Sequence, residues 1–332
     1  MSVLVTGGTG FLGGPFLERL LANGQIGIRV LVRSEQKQKV VEKLGLQAVR
    51  GDLLCPNQLA EALRGIDTVY HLAAALSGSP ADMWLHTVVG SKNLLESAVA
   101  AGVRRIVLVS SFSVYGITAM KKRGMLDESA PVEQKPERRD AYAFAKSRQE
   151  RLFREYQERH GFELIVVRPG VIYGPGGGRF STRVGLQLPG IFLFAGKGNL
   201  LPLTYVLNCA EAIALAGMRG EAGSLFNIVD DDLPTCREYL KLYRRHVQPI
   251  RYVTFPYWAT RTLGSSLEWY NRYSEGQLPA VLTPYKVESL WKPTRFSNQK
   301  LKALGWKQLV STQAGLQRTF DSFRNEPAKK AS

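Results

Sequence analysis

Cysteine is scarce in this chain: Cys55, Cys209 and Cys236 are the only three in 332 residues, and they lie far apart. So few and so scattered thiols exclude a disulfide framework and a cysteine-based zinc site, and they fit a reducing, cytoplasmic setting. Long apolar runs are missing too. The most lipid-like stretch, residues 186–195, is ten residues long and holds Pro189 and Gly190, too short to span a bilayer. Strand-like apolar sequence begins at Ser2-Val3-Leu4-Val5, so no leader is expected ahead of it. There is no internal repeat, no low-complexity segment, no metal-ligand cluster and no recognised nucleic-acid motif. Acid is in short supply, with 28 acidic side chains against 44 basic ones and a net charge of +16. The deficit is local: residues 161–232 hold 5 basic and 6 acidic side chains, residues 233–332 hold 17 and 6. An excess placed in the last third suits an anionic ligand, an acidic partner or weak association with an anionic membrane surface, or it serves solubility alone.

What the chain does have is alternation. Short apolar, β-branched runs at 2–6, 28–33, 48–51, 68–72, 106–110 and 163–168 are separated by helical patterns at 13–23, 36–44, 58–63, 83–101 and 141–159. Strands that are apolar throughout and alternate with helices imply a parallel sheet covered on both faces, a doubly wound α/β fold. The alternation breaks at Gly174-Pro175-Gly176-Gly177-Gly178, read as a loop. Residues 203–207, 210–218 and 224–229 look like a return to the sheet layers. The expected organisation is a dinucleotide-binding domain over 1–173, with 203–230 returning to it. A smaller, mainly helical substrate lobe over 174–202 and 231–325 follows, then a frayed tail at 326–332.

Several motifs carry chemistry. Gly7, Gly10 and Gly13 in "VTGGTGFLGG" sit between the first strand and the first helix. Glycines there permit a tight turn and a close backbone approach to a pyrophosphate, which the helix N-terminus then meets with free N–H groups, including those of Phe11 and Leu12. Its place between a strand and a helix at the start of a βαβ unit favours a phosphate-binding turn over a glycine-rich turn without a ligand. The second strand ends in Arg33, with Lys37 and Lys39 beyond. An arginine cannot accept from ribose hydroxyls but can clamp a 2′-phosphate, so NADP(H) is expected over NAD(H). Asp52 and Leu53, after the third strand, either meet the adenine or form an ordinary turn. His71 is read as a packed strand residue, and Leu72, Ala73 and Ala74 leave room for a flat cofactor. Ser110 and Ser111 close the fifth strand, either near a substrate oxygen or in a turn. "YAFAK" places Tyr142 and Lys146 on one helix face; alone, the pair reads more simply as an ordinary amphipathic surface.

The ordered set TGGTGFLG, HLAA, SSFSVYG, YAFAK and RPGVIYGPG resembles the extended short-chain dehydrogenase/reductase superfamily, its epimerase/dehydratase-like branch. The later YVLNCAEAIALA and FSNQKLKALGW resemble it as well. The resemblance implies Tyr142 as general acid/base, Lys146 lowering its pKa and binding ribose, and Ser111 polarising the substrate oxygen. Ser113 is a neighbour of lesser role. Along the cofactor it implies the phosphate turn, Arg33, Asp52, Leu53, Leu72, Ala73, Ala74, Thr87, Ser110, Tyr142, Lys146, Pro169, Gly170 and Val171. Homodimerisation through the long helices is a further implication.

The chain departs from the family in places. Thr87 stands where many members have an asparagine, so any water relay there must differ. Val171 stands where sugar-nucleotide epimerases have an asparagine. With Arg33, this counts against a UDP-sugar epimerase. Lys121-Lys122-Arg123-Gly124 and Asp127-Glu128 form either a solvated loop or a flap over the site. The stretch 282–286 before FSNQKLKALGW is closest in style to hydroxysteroid dehydrogenases and dihydroflavonol reductases. Residues 188–194 with Trp258, Trp269 and Tyr270 either line an apolar pocket or, the simpler reading, belong to the core. The expected activity is NADP(H)-dependent interconversion of a secondary alcohol and a ketone on a small molecule, anionic or lipid-like. The alternatives are a nucleotide-sugar epimerase or dehydratase with retained NAD(P), and a non-catalytic nucleotide-binding protein.

Overall fold

The computed structural model describes residues 1–188, 190–195, 198–274 and 283–325. Pro189 of the apolar run, Leu282 ahead of the FSNQKLKALGW segment and the expected tail at 326–332 lie outside the described residues. The chain runs β1 (Val3–Thr6), α1 (Gly13–Ala22), β2 (Ile28–Val32), α2 (Glu35–Glu42), β3 (Gln47–Arg50), α3 (Pro56–Ala62) and β4 (Thr68–His71). It continues through α4 (Pro80–Trp84), a π-helical turn (Leu85–Val89), α5 (Gly90–Ala100), β5 (Arg105–Val109), β6 (Met125–Leu126), α6 (Ala141–His160), β7 (Glu163–Pro169) and β8 (Val171–Tyr173). Then come β9 (Gly185–Leu188), β10 (Ile191–Phe194), β11 (Leu203–Tyr205), α7 (Val206–Arg219), β12 (Leu225–Ile228), α8 (Cys236–His246) and β13 (Tyr252–Thr254). The chain ends in α9 (Tyr257–Tyr273), α10 (Pro284–Trp291), β14 (Arg295–Phe296), α11 (Gln299–Ala303) and α12 (Thr312–Asn325).

Seven parallel strands form one sheet in the order β12-β7-β5-β4-β1-β2-β3. Its inner strands are apolar on both faces because both are covered, while edge strand β3 has exposed Gln47 and Arg50 at its ends. Val5, Val30, Val107 and Ile165 face α1 and α7, with Phe16, Leu20 and Ile213 fully buried among them. Leu4, Leu31, Ile106 and Leu108 face α3, α5 and α6, with Leu59, Leu94 and Phe153. A third core joins Phe192 and Phe194 of β10 to Tyr239 and Tyr243 of α8 and Phe320 and Phe323 of α12. The doubly wound α/β reading therefore stands, with strand bounds one residue off at most ends.

Three expectations need correction. The helix read over 83–101 is two helices joined by the π turn, where the Gly90 N–H reaches back to Leu85 O. Trp258, Trp269 and Tyr270 do not enter the core, being 71%, 65% and 42% exposed. The reason is that α9 packs through Thr260 and Gly264, the latter against the chain at Thr283, so its aromatic stripe faces away. Phe192, Leu193 and Phe194, by contrast, are core. The segment at 121–128 is no free flap either: Met125 and Leu126 pair in parallel with Arg295 and Phe296. The Glu128 carboxylate accepts from the Asn227 N–H at 2.7 Å, while the side chains of Lys121, Lys122 and Arg123 stay in solvent.

Candidate active site

The phosphate turn is fixed by close approach. Gly7 has φ +75°, and a Cβ there would stand 2.8 Å from the Ala73 nitrogen at the end of β4. At Gly13 a Cβ would meet Gly7 O at 2.3 Å. Gly7 O accepts from the Gly10 N–H at 3.0 Å and Gly10 O from the Gly13 N–H at 3.1 Å. The N–H groups of Phe11 and Leu12 find no protein acceptor among the described residues. Two free amides at a helix start, beside exposed Gly10, fit a pyrophosphate. The Phe11 ring packs under the glycine loop, where a Cβ on Gly177 would meet it at 2.9 Å.

Around that turn, Arg33 is exposed at the end of β2, and Lys37 Nζ folds back to donate to Thr9 O at 3.4 Å. No carboxylate occupies the end of that strand. Asp52 makes the turn that was one of its two readings: its Oδ1 accepts from the Leu54 N–H at 2.9 Å. Leu53 packs under Gly90, and its carbonyl accepts from Asn93. Leu72, Ala73 and Ala74 are half-buried beside Gly7. Pro169 ends β7, and Gly170 lies where a Cβ would strike Pro202 O at 2.2 Å. Val171 opens β8 and pairs with Leu203.

The reactive side chains meet at the carboxyl ends of β4 and β5 and on the first turns of α6. Asp140 caps that helix, accepting from the Ala143 N–H at 3.0 Å. Ser111 sits in extended backbone at φ −164° and starts a short 3-10 turn, accepting from the Ser113 N–H at 3.1 Å. The same hydroxyl lies close enough to Tyr142 to draw its phenol downward, and the turn, one of the two settings expected of Ser111, is present. Ser113 Oγ is buried without a partner among the described residues. Burial raises the Tyr142 phenol above its ordinary value of 10.0, with Ser111 opposing and Asp140 adding to the rise. Lys146 is 2% exposed. Burial brings its ammonium down from 10.5 to about 7, against the pull of Glu150. Its Nζ donates to Val109 O at 2.7 Å and to Gln149 Oε1 at 2.5 Å. In this state the lysine is engaged below the tyrosine, and burial, not the ammonium, governs the phenol. Between the pair, Ala143 and Ala145 are buried packing, and Phe144 stacks on Trp84 at 5.5 Å.

Behind the pair lie two polar clusters that the sequence reading did not find. Glu150, one turn on from Lys146, accepts from Ser110 Oγ at 2.6 Å and from Arg168 at 2.5 and 3.0 Å. Burial alone would raise this carboxyl, but Arg168, Ser110 and Arg154 hold it down to about 2. Arg168 also lies over the Tyr115 ring at 4.5 Å, and Tyr115 OH donates to Asn227. The Ser110 hydroxyl is thus engaged inside the protein, on Glu150. Thr87 is likewise buried, with Oγ1 accepting from the Ala75 N–H at 3.0 Å. The second cluster joins Thr6, His71, Thr87, Ser91 and Gln149. A run of E, Q and R on a long helix reads as a solvated face, and only the crossing of β4, α5 and β7 buries these members.

Residues 3–228 match the NAD dependent epimerase/dehydratase family. The chain is 31% identical to 4-hydroxy-2-methyl-3-oxo-4-farnesyl-3,4-dihydroquinoline-1-oxide ketoreductase of Stigmatella aurantiaca, over 95% of each chain. It is 28% identical to human sterol-4-alpha-carboxylate 3-dehydrogenase, decarboxylating, over 97% of this chain and 88% of the relative. Among solved structures, UDP-glucose 4-epimerase of Thermus thermophilus in complex with NAD superposes with a TM-score of 0.71 at 25% identity, covering 98% and 99% of the two chains. With a seven-strand parallel sheet, a phosphate turn and a Ser–Tyr–Lys constellation at its carboxyl edge, the chain belongs to the NAD-dependent epimerase/dehydratase family of extended short-chain dehydrogenases/reductases, as an NAD(P)-dependent oxidoreductase.

Proposed function

We propose that the protein interconverts a secondary alcohol and a ketone, with NADP(H) as cofactor. The observation that carries this reading is the closeness of Ser111 to Tyr142, with Lys146 one turn along the same helix, at the strand ends beside the glycine turn. The two curated relatives compared above are named as a ketoreductase and a dehydrogenase, which supports the same chemistry. Arg33 in the position of the usual acidic residue, with Lys37 at Thr9 O, supports a 2′-phosphate.

Ser111 donates to the substrate oxygen and polarises it. The high resting pKa of Tyr142 suits reduction: the phenol holds its proton until the substrate oxygen gains charge, then passes it on. For oxidation the phenolate must form, and a nearby ammonium together with the charge of an oxidised nicotinamide favours it. When bound, the nicotinamide supplies or accepts the hydride. Lys146 holds a ribose hydroxyl with the ammonium proton that Val109 and Gln149 leave free. Phe11 and Leu12 amides bind the pyrophosphate, and Arg33 the 2′-phosphate.

The test is titration of purified protein with NADPH and NADH, then an absorbance screen with each reduced cofactor against ketones, sterol ketones and sugar nucleotides. NADPH binds more tightly and is consumed with a ketone. Tyr142→Phe lowers turnover by about 10²–10⁴-fold. Arg33→Ala weakens NADPH by about tenfold to a hundredfold and leaves NADH unchanged, as loss of a charge-assisted hydrogen bond requires. Tighter NADH binding by the unaltered protein overturns the cofactor assignment. A sugar nucleotide converted without net cofactor consumption replaces the alcohol–ketone reading by an epimerase or dehydratase.

A further inference from the structure

Lys146 is one of the largest fully buried side chains in the molecule, at 2% exposure, and an ammonium in such a place needs defined acceptors. Lysine can only donate, and it has three protons to give. Val109 O takes one at 2.7 Å, and Gln149 Oε1 takes another at 2.5 Å. Because a donor faces it, the Gln149 amide is fixed with oxygen toward Lys146 and nitrogen away. The amide nitrogen then stands 2.8 Å from Ser91 Oγ and 3.1 Å from His71 Nε2. It has two protons and a third neighbour in reach, Thr87 O at 3.5 Å. His71 Nε2 also lies 3.0 Å from Ser91 Oγ, and His71 Nδ1 lies 2.7 Å from Thr6 Oγ1. Ser91 passes its own proton to Thr87 O at 2.5 Å, a carbonyl that belongs to the π turn. The Gln149 amide is thus held from behind by Ser91 and His71. Burial, with the Lys146 charge, keeps His71 neutral, its pKa held down to about 3.

We propose that Gln149 is the positioning residue for Lys146: its amide, locked by Ser91 and His71 from behind, holds the ammonium charged and oriented so that its remaining proton meets a ribose hydroxyl of the cofactor. The proposal rests on the role given to Lys146 in the proposed function. The other groups facing Lys146 are Glu150 and Tyr142 on its own helix and His71 on β4; Arg168 of β7 and Arg154 act through Glu150. Glu150 is spent on Arg168 and Ser110, so Gln149 is the side-chain acceptor in direct contact with the ammonium. A leucine would fill a similar volume while leaving Lys146 only Val109 O.

The experiment measures the Kd of NADPH by fluorescence titration between pH 5 and 10 for the unaltered protein, Gln149→Leu, Gln149→Glu and Lys146→Met. Affinity falls as pH rises through the Lys146 pKa. Gln149→Leu weakens NADPH about tenfold, as loss of a hydrogen bond to a charged group does, and moves that fall about one pH unit down, since the ammonium has lost an acceptor. Gln149→Glu moves it about one unit up, because a carboxylate favours the charged lysine. Opposite displacements are a response that a space-filling or merely structural glutamine does not give. If both variants keep the unaltered pH profile while Lys146→Met has lost the fall and binds weakly, the positioning role is wrong and the Lys146 role stands. If Lys146→Met binds NADPH like the unaltered protein, the Lys146 role fails instead. Should Gln149→Leu not fold, the direction of the Gln149→Glu displacement decides alone.

Discussion

Burial sets the resting chemistry of single residues here. It raises the Tyr142 phenol and brings the Lys146 ammonium to about 7. It also has a signature in stability. His71 is 1% exposed and neutral, with its pKa taken from 6.5 to about 3. Below pH 6.5 an unfolded chain gains a proton that the fold refuses, so His71 makes stability fall with acidification from about 6.5 to 3. Glu150, taken from 4.5 to about 2, contributes stability that is complete above 4.5 and lost as pH falls toward 2. Asp230, raised by burial from 3.8 to about 7, acts in the opposite sense between those values. The His71 share is therefore read by calorimetry as the difference from His71→Gln, which should be relatively more resistant to acid than the unaltered protein below pH 6.5, while the Glu150 loss sets in below 4.5. At neutral pH, Glu150→Ala should cost about 3–5 kcal/mol in a urea titration, because it strands the Arg168 charge inside the protein. A loss under 1 kcal/mol would mean that water reaches Arg168.

At the scale of elements, the parallel strands of the first 169 residues were legible because most are short apolar runs with no polar alternation; β3, Gln47–Arg50 at the sheet edge, is the exception, with both end residues exposed. The phosphate turn was legible because its glycines are forced by contact. Gly7→Ala puts a methyl group 2.8 Å from Ala73 N in a left-handed backbone, and it should cost about 1–3 kcal/mol and weaken NADPH binding. Calorimetry and fluorescence titration measure the two effects. On α6 the sequence displayed Tyr142 and Lys146 but hid their supports. Gln149 and Glu150 are polar residues in the middle of a charged helix, and nothing in their spacing says that β4, α5 and β7 will bury them. The π turn was hidden for a similar reason: 85–89 is an ordinary helical pattern until a neighbouring amide and serine claim the carbonyl at Thr87.

Across the whole molecule, hydrophobicity alone did not say which aromatic residues would pack. Phe320 is 1% exposed between Tyr239, Tyr243 and Phe323, so Phe320→Ala should lose about 3–5 kcal/mol in urea unfolding. Trp258 and Trp269 stand on the outer side of α9 at 71% and 65% exposure, and replacing both with serine should change stability by no more than about 0.5 kcal/mol each. The charge excess of the last third likewise sits mostly on exposed side chains, while residues 1–100 and 161–232 are nearly balanced. The order of the central sheet, β12-β7-β5-β4-β1-β2-β3, bears on how the molecule is made. As the chain leaves the ribosome, β2 joins β1 and β3 joins β2; β4 then takes the opposite edge of β1, followed outward by β5, β7 and β12. Every new strand of that sheet meets an edge that is already waiting, and none has to part a pair formed before it. Synthesis from the N-terminus can thus build the nucleotide cradle first and bring Ser111 and Tyr142 to a finished edge.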